Sequence, residues 1–232
     1  MAAVSLTQSQ VKRAGRSLRR AVRGEEVDPA VVFTAYEVLI AFRAAHARPL
    51  AAANMGLRSM VRTEGCRVEV SQRLKRVPTI FGKLVREPSL PLSSMQDIGG
   101  CRAVLSSIDE VRRVEARLRR NRPPVLVSDY IRHPRDSGYR GVHVVVLYGG
   151  RRIEVQLRSR VMHEWAIAVE RLSGRMGQNL KGDGRHAVQN LLRAISEAMA
   201  IEEADGLVED ALLTEMATLR LAAAPYLEGR MS

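Results

Sequence analysis

Two carboxylates stand where phosphate chemistry would use them. Asp97 lies just ahead of a strand signal, and Glu154 sits inside the run Ile153-Glu154-Val155-Gln156-Leu157. Side chains alternate along a strand, so Ile153, Val155 and Leu157 face one way, and Glu154, Gln156 and Arg158 the other. A face of that kind is either solvated or lines a cleft. In a cleft, Glu154 serves as a metal ligand or a base. Moving a phosphate group needs carboxylates for metal, cations for phosphate oxygens and a base beside the accepting hydroxyl. The usual nucleotide cradles are absent: no Gly-x-x-x-x-Gly-Lys-Ser/Thr loop occurs, and no Gly-x-Gly-x-x-Gly follows a strand. No cysteine–histidine spacing suits zinc, and His46, His133, His143, His163 and His186 are scattered.

The elements that must position these groups are readable in outline. Val11, Ala14, Leu18 and Val22 predict a basic amphipathic helix over 8–24. Asp28-Pro29 starts a second helix over about 29–47, with Val32, Tyr36, Leu39 and Ile40 as its stripe and Pro49 as its end. Pro78 opens a short helix through Leu84. A strand is expected over 101–105, then a helix capped by Ser107 and Glu110, then a strand over 125–130. Segments 142–148 and 151–157 flank Gly149-Gly150 and predict a hairpin. Met162, Trp165, Ala166 and Val169 begin a further helix, and 174–184 reads as a loop. Val188, Leu191, Leu192, Ile195 and Met199 mark one more helix, and Leu212, Met216 and Leu219 another. This order predicts an α+β fold with a mixed sheet of about five strands flanked by helices. The expected organisation is a basic helical extension over 1–50, a core over 51–175 and a C-terminal helical extension over 176–232.

Among 232 residues, 46% are hydrophobic, enough for one domain with a real core. No apolar run approaches the roughly 20 residues of a membrane helix, so no membrane partner is expected. The basic N-terminus lacks the apolar stretch of a secretory signal. Cys66 and Cys101 form no disulfide framework, and reduced thiols point to a cytoplasmic protein. The net charge is +12, and Lys12, Arg13, Arg16, Arg19, Arg20 and Arg23 all precede the first acidic residue. Such a block suits a polyanion such as RNA, or is simply a solvated helix face. The stretch from Phe42 to His46 reads as a structural helix end or as part of an RNA surface.

The segment Asp129-Tyr130-Ile131-Arg132-His133-Pro134-Arg135-Asp136-Ser137-Gly138-Tyr139-Arg140-Gly141-Val142-His143, followed by Glu154-Val155-Gln156-Leu157-Arg158-Ser159, resembles the core of the RelA/SpoT-type pyrophosphokinases. Two earlier blocks are similar to that family's motifs as well: Arg73-Leu74-Lys75 with Thr79-Ile80 and Lys83-Leu84, and Asp97-Ile98-Gly99-Gly100-Cys101-Arg102. The resemblance spans about residues 73–170 and implies a nucleotidyltransferase-like synthetase fold. It implies that Asp97 and Glu154 hold Mg2+ and that Glu154 activates the acceptor hydroxyl. Arg73 and Arg102 would sandwich the adenine of ATP, and Lys75 and Lys83 would meet the triphosphate. Tyr139, His143, Arg135 and Gln156 would form the acceptor pocket, with Tyr139 stacking on the base. The chain departs from the family pattern there: Arg135 replaces Lys, Ser137 replaces Asn, and Gly141-Val142 replaces Ser-Leu. No His-Asp dipeptide suggests a hydrolase domain.

Three functions follow from the resemblance. One is transfer of pyrophosphate from ATP to the 3′-hydroxyl of GDP or GTP, giving guanosine alarmones. A second is pyrophosphorylation of the tRNA 3′ end by a toxin, which would need an antitoxin. The third is a degenerate member that binds nucleotide or RNA without turnover. The helices after residue 184 could serve a homo-oligomer, a partner or the protein's own core. Trp165 and Cys101 read as core residues, and Glu170 as a solvated or cleft-facing position.

Overall fold

The computed structural model describes residues 6–177, 179–180 and 187–228. Its centre is one five-stranded sheet, β1 (Val70–Leu74), β2 (Gly99–Leu105), β3 (Leu126–Asp129), β4 (Val142–Tyr148) and β5 (Arg151–Ser159), in the spatial order β1-β2-β5-β4-β3. The central pair β2–β5 is parallel and the other three pairings are antiparallel. β4 turns into β5 through Gly149 and Gly150, whose φ of 52° and 71° suit a two-residue turn that disfavours side chains.

One face of this sheet is dry. Cys101, Ala103 and Leu105 of β2, Val142, Val144 and Val146 of β4, and Ile153, Val155 and Leu157 of β5 are buried there. Helix α3 (Ala47–Thr63) covers them with Leu50, Leu57 and Val61, and helix α5 (Ile108–Asn121) with Val111, Val114 and Leu118. The alternation expected for β5 holds, so its other face is polar. Ser107 caps α5 as expected, accepting from Glu110 N at 3.2 Å, but the Glu110 carboxylate reaches back to Ser106 N.

Helix α1 (Gln8–Val22) packs against α2 (Pro29–Ala44) and α4 (Val77–Arg86) around a second core of Val11, Leu18, Leu39, Phe42, Ile80 and Leu84. The stripe of α2 is partly the expected one: Leu39 and Phe42 face inward, joined by Ala35, whereas Tyr36 and Ile40 are exposed. The predicted end at Pro49 is also displaced. The break falls at Ala45–His46, and Pro49 lies in the first turn of α3, where a missing N–H costs nothing. Helix α3 itself and the polar edge strand β1 carry weak periodic signals and were not expected. Contrary to the expectation of no such run, Pro29–Thr63 contains an 18-residue window with mean hydropathy 1.3, apolar enough by composition to cross a membrane. Only 22% of that window is buried: α3 packs its apolar side on the sheet, whereas α2 leaves Val31, Phe33, Tyr36 and Ile40 exposed.

The third core joins α6 (Arg160–Met176), α7 (Ala187–Glu203) and α8 (Asp210–Leu227) through Trp165, Val169, Val188, Leu191, Leu192 and Ala223. Trp165 is 5% exposed, and its indole N–H donates to Leu192 O at 2.9 Å, as fits a core residue. The expected loop over 174–184 begins later, because α6 continues to Met176 and stops at left-handed Gly177. Residues 181–186, including His186, lie outside the described residues.

The basic set on α1 splits in two. Arg19 donates to Leu84 O at 2.7 Å and to Leu90 O at 2.6 Å, and Arg23 donates to Val85 O at 3.3 Å. These carbonyls lie at or just past the end of α4, where backbone oxygens need donors. Arg20 pairs with Glu25 at 2.8 Å. Truncating Arg19 to Ala should therefore destabilise the fold by roughly 1–3 kcal/mol, while Arg13→Ala should stay within about 0.5 kcal/mol. Chemical unfolding of the two variants checks this difference.

Candidate active site

Register, more than nearness in sequence, assembles the site. Gly100 of β2 lies beside Glu154 of β5, and Arg102 beside Gln156. Arg73 of β1 pairs with Gly100, and His143 of β4 pairs with Gln156. Arg73, Arg102, Glu154, Gln156 and His143 thus come from four strands onto one face. Asp97 joins from the loop ahead of β2, and Lys75 N donates to Ile98 O at 2.9 Å, which closes the β1–α4 corner onto that loop. Arg43 steadies the same corner by donating to Lys75 O at 2.8 Å.

Both lysines converge on Asp97: Lys75 Nζ lies 2.6 Å from Oδ2 and Lys83 Nζ 3.2 Å from Oδ1. Glu154 is more enclosed. Burial pushes its carboxyl upward, but the hydrogen bond and charge of a protonated His143, the hydrogen bond from Gln156 and the charge of Lys83 overcome this and bring it down to about 2. His143 Nδ1 is 3.1 Å from Oε1, and Gln156 Nε2 donates to Oε2 at 2.6 Å. Glu154 is therefore ionised throughout the neutral range.

Two cavities meet here. One of about 250 Å³ is lined by Ser71, Gln72, Arg73, Arg102 and Glu170, together with Asp97, Glu154 and Gln156. The other, of about 800 Å³, is lined by Lys75, Lys83, Arg86, Glu87, Arg135, His143 and Asn179, with the same Asp97, Glu154 and Gln156. The carboxylates stand at the shared boundary. In the first cavity burial, with Arg158 and Arg73 nearby, lowers the Arg102 guanidinium, and Glu170 opposes this. Arg102 Nε has no hydrogen-bond partner among the described residues. Such a crowd of cations favours an incoming aromatic plane or anion.

The structure also sorts the expected acceptor residues. Arg135 and His143 line the larger cavity, whereas Tyr139 is only 5% exposed and lies behind His143. Its hydroxyl lies 2.5 Å from His143 Nε2 and accepts from Arg158 Nε at 3.1 Å. Arg135 lies over the Tyr130 ring at 4.4 Å and donates to its hydroxyl at 2.7 Å. Ser137 is fully buried and its hydroxyl has no partner among the described residues. The loop between β3 and β4 is pinned from several sides. Asp129 accepts from Ile131 N and Arg132 N at 3.1 and 3.0 Å and is gripped by Arg112 at 2.8 and 3.2 Å. Ser196 of α7 donates to Gly138 O at 2.6 Å, and Arg140 forms a buried pair with Glu203 at 2.8 Å.

Sequence reasoning missed Ser71, Gln72, Arg86, Glu87 and Asn179 as lining residues, because Ser71 and Gln72 depend on the unexpected β1 and the others on helix ends brought in by packing. It also gave no role to Arg158, Ser196 or Glu203. Only Arg158 carried a signal, four residues beyond Glu154 on the same strand face. His46 proves structural: it is 2% exposed, with Nδ1 at 2.8 Å from Phe42 O. Burial drives the Cys101 thiol up to about 12, so it is an inert core residue.

Among the described residues no cluster of three or more metal-ligating side chains exists. Two carboxylates lining the same cavities still fit Mg2+, which is commonly held by one or two carboxylates plus substrate phosphates and water. A mixed sheet with paired carboxylates, flanking lysines and an arginine-walled cavity brings together the groups that phosphate transfer requires.

Residues 72–171 match the family described as "Region found in RelA / SpoT proteins". The chain is 32% identical over 140 residues to the GTP pyrophosphokinase YjbM of Bacillus subtilis, covering 55% of this chain and 66% of that one. It is 30% identical over 148 residues to the uncharacterized protein Rv1366 of Mycobacterium tuberculosis, covering 61% and 52%. The chain thus spans just under two thirds of the first relative's length and about half of the second's. The crystal structure of the small alarmone synthetase 1 from Bacillus subtilis bound to its product pppGpp superposes with a TM-score of 0.57 at 27% identity, covering 71% of this chain and 93% of that one. Over residues 72–171 the chain is thus similar to the region found in RelA/SpoT proteins, and it shares the fold of the pppGpp-bound synthetase.

The depressed Glu154 carboxyl gives a pH prediction. A carboxyl lowered on folding stabilises the protein above its unfolded value, near 4.5, and loses that contribution as pH falls toward about 2. A shift of this size corresponds to a few kcal/mol. In chelator, the stability gap between the native chain and Glu154→Gln should be full at pH 6 and shrink progressively below pH 5, as measured by unfolding at each pH.

Proposed function

We propose that this cleft transfers the β,γ-pyrophosphate of ATP to the 3′-hydroxyl of a guanine nucleotide. The observation that carries the reading is the pair of cavities sharing Asp97, Glu154 and Gln156. A donor base fits the small arginine-walled cavity, an acceptor nucleotide fits the larger one, and the reacting groups meet at the shared carboxylates. The names of the similar pyrophosphokinase and of the pppGpp-bound synthetase support guanine nucleotides as acceptors.

Arg73 and Arg102 would stack on the adenine, and Lys75 and Lys83 would leave Asp97 for the phosphate oxygens. That exchange frees Asp97, which together with Glu154 would hold Mg2+ and so help neutralise phosphate charge. The acceptor oxygen attacks the β-phosphorus, the bond to the α-phosphate oxygen breaks and AMP departs. The hydroxyl proton passes to a Glu154 oxygen. A carboxylate this weakly basic orients the hydroxyl and takes its proton late, which suits a loose phosphoryl-type transition state.

The tRNA 3′ end is the rival acceptor. Its support in the basic first helix is reduced, because Arg19, Arg20 and Arg23 are engaged within the chain. Lys12, Arg13 and Arg16 remain exposed.

The test is a transfer assay with terminally labelled ATP, Mg2+ and GDP, GTP or deacylated tRNA offered separately. Label is expected on the guanine nucleotides; label on tRNA alone would replace this acceptor by the rival one. Glu154→Gln should cut turnover by about 10²–10⁴-fold while ATP binding, measured by calorimetry, persists. Unchanged turnover would remove Glu154 from the reaction. Arg102→Ala should weaken ATP binding about 2- to 30-fold through the lost stacking.

A further inference from the structure

We propose that Arg158 is the positioning residue of this site, setting the direction of both hydrogen-bond chains that end on the Glu154 carboxylate. The proposal rests on the phosphotransfer reading above and adds a role to a residue that lines neither cavity. Arg158 is 4% exposed on β5, four residues beyond Glu154 and on the same face.

A guanidinium can only donate. Its Nε donates to the Tyr139 hydroxyl oxygen at 3.1 Å, so the Tyr139 proton is free to point at His143 Nε2, 2.5 Å away. In the neutral imidazole Nε2 then accepts, and the ring proton must sit on Nδ1, where it donates to Glu154 Oε1 at 3.1 Å. The second arm follows the same logic. Arg158 Nη2 donates to Gln156 Oε1 at 3.1 Å, which turns the Gln156 amide so that its Nε2 donates to Glu154 Oε2 at 2.6 Å. One buried fork therefore selects the His143 tautomer and the Gln156 orientation. Together these leave the two oxygens of Glu154 as acceptors in a fixed plane.

The backbone makes room for this fork. Gly141 has φ +149°, and a Cβ there would lie 3.2 Å from both Arg158 Cγ and the Tyr139 hydroxyl. The glycine stands where the family pattern has serine, so the departure noted in the sequence coincides with the space that Arg158 and Tyr139 need. The Arg158 guanidinium also lies over the Tyr139 ring at 5.0 Å, which fixes its approach.

Two variants separate positioning from mere packing. Arg158→Lys keeps the charge and loses the fork; Tyr139→Phe keeps Arg158 and removes one hydroxyl. Two readouts are taken on each: nitrogen NMR of the His143 imidazole in the nucleotide-free protein at neutral pH, and steady-state transfer from ATP to GDP with kcat and the ATP KM measured separately. The His143 signal is assigned by its loss in His143→Asn. In the native chain the Nδ1–H tautomer is expected, and in both variants a mixture with Nε2–H. Turnover should fall about 10–100-fold with the ATP KM changed less than about threefold. An unaltered tautomer and unaltered kcat in both variants would overturn the proposal. Should Arg158→Lys not fold, Arg158→Gln, which removes the buried charge and the fork, takes its place with the same two readouts, and Tyr139→Phe tests the His143 arm separately. If the native chain transfers nothing to GDP, the functional reading fails, yet the tautomer measurement still tests the role of Arg158.

Discussion

A carboxylate placed on a largely enclosed sheet face must be ringed by donors or it takes up a proton. Glu154 meets that constraint with His143 on one oxygen and Gln156 on the other, and with Lys83 close by. Much of the surrounding architecture follows from it. His143 can reach Glu154 only if β4 and β5 keep their register, and that register is set by the tight glycine turn between them. Gln156 can serve only if β5 alternates without a bulge. The parallel β2–β5 pairing then brings Arg102 and Gly100 alongside, so one requirement, an ionised Glu154, ties the sheet to the cleft.

The helices beyond the sheet are less peripheral than the division into extensions suggests. The loop between β3 and β4 carries Arg135 and Tyr139, and α7 holds it through Ser196 and the buried Arg140–Glu203 pair. A buried ion pair adds little net stability over an apolar pair, but losing one partner strands a charge. Its value here is geometric: it ties the loop that walls the larger cavity to a helix residue 63 positions later in the chain. At the other end, α1 completes the end of α4, the helix that presents Lys83, by donating arginine N–H groups to its last carbonyls. Much of the positive charge at the N-terminus is thus spent inside the molecule, and net charge alone misjudges what is offered to a polyanion.

How much was legible depended on where the determining interactions lie. The polar face of β5, the hairpin at Gly149-Gly150, the Ser107 cap and the stripe of α6 are local patterns with periods of 2 or 3.6, and each is found within a residue or two of its expected place. Helix α3 was missed because Pro49 reads equally as the end of one helix or the first turn of the next, and only burial against the sheet decides between them. Strand β1 was missed because it is a polar edge whose side chains do not alternate in burial. Tyr139 was expected to face the acceptor; its ring is instead packed among Tyr130, His143 and Trp165.

By itself the sequence determined which residue types were available for phosphate chemistry, the strand face that presents Glu154 and Gln156, and the order of the elements. Those are properties of neighbours along the chain, where backbone geometry alone dictates direction. Tertiary structure decided that Lys75 and Lys83 share Asp97, that two cavities meet at one pair of carboxylates, and that Arg158 governs the hydrogen bonds on Glu154. The reason is physical: donor-to-acceptor direction and charge pairing depend on distances between residues far apart in sequence, and only packing sets those distances.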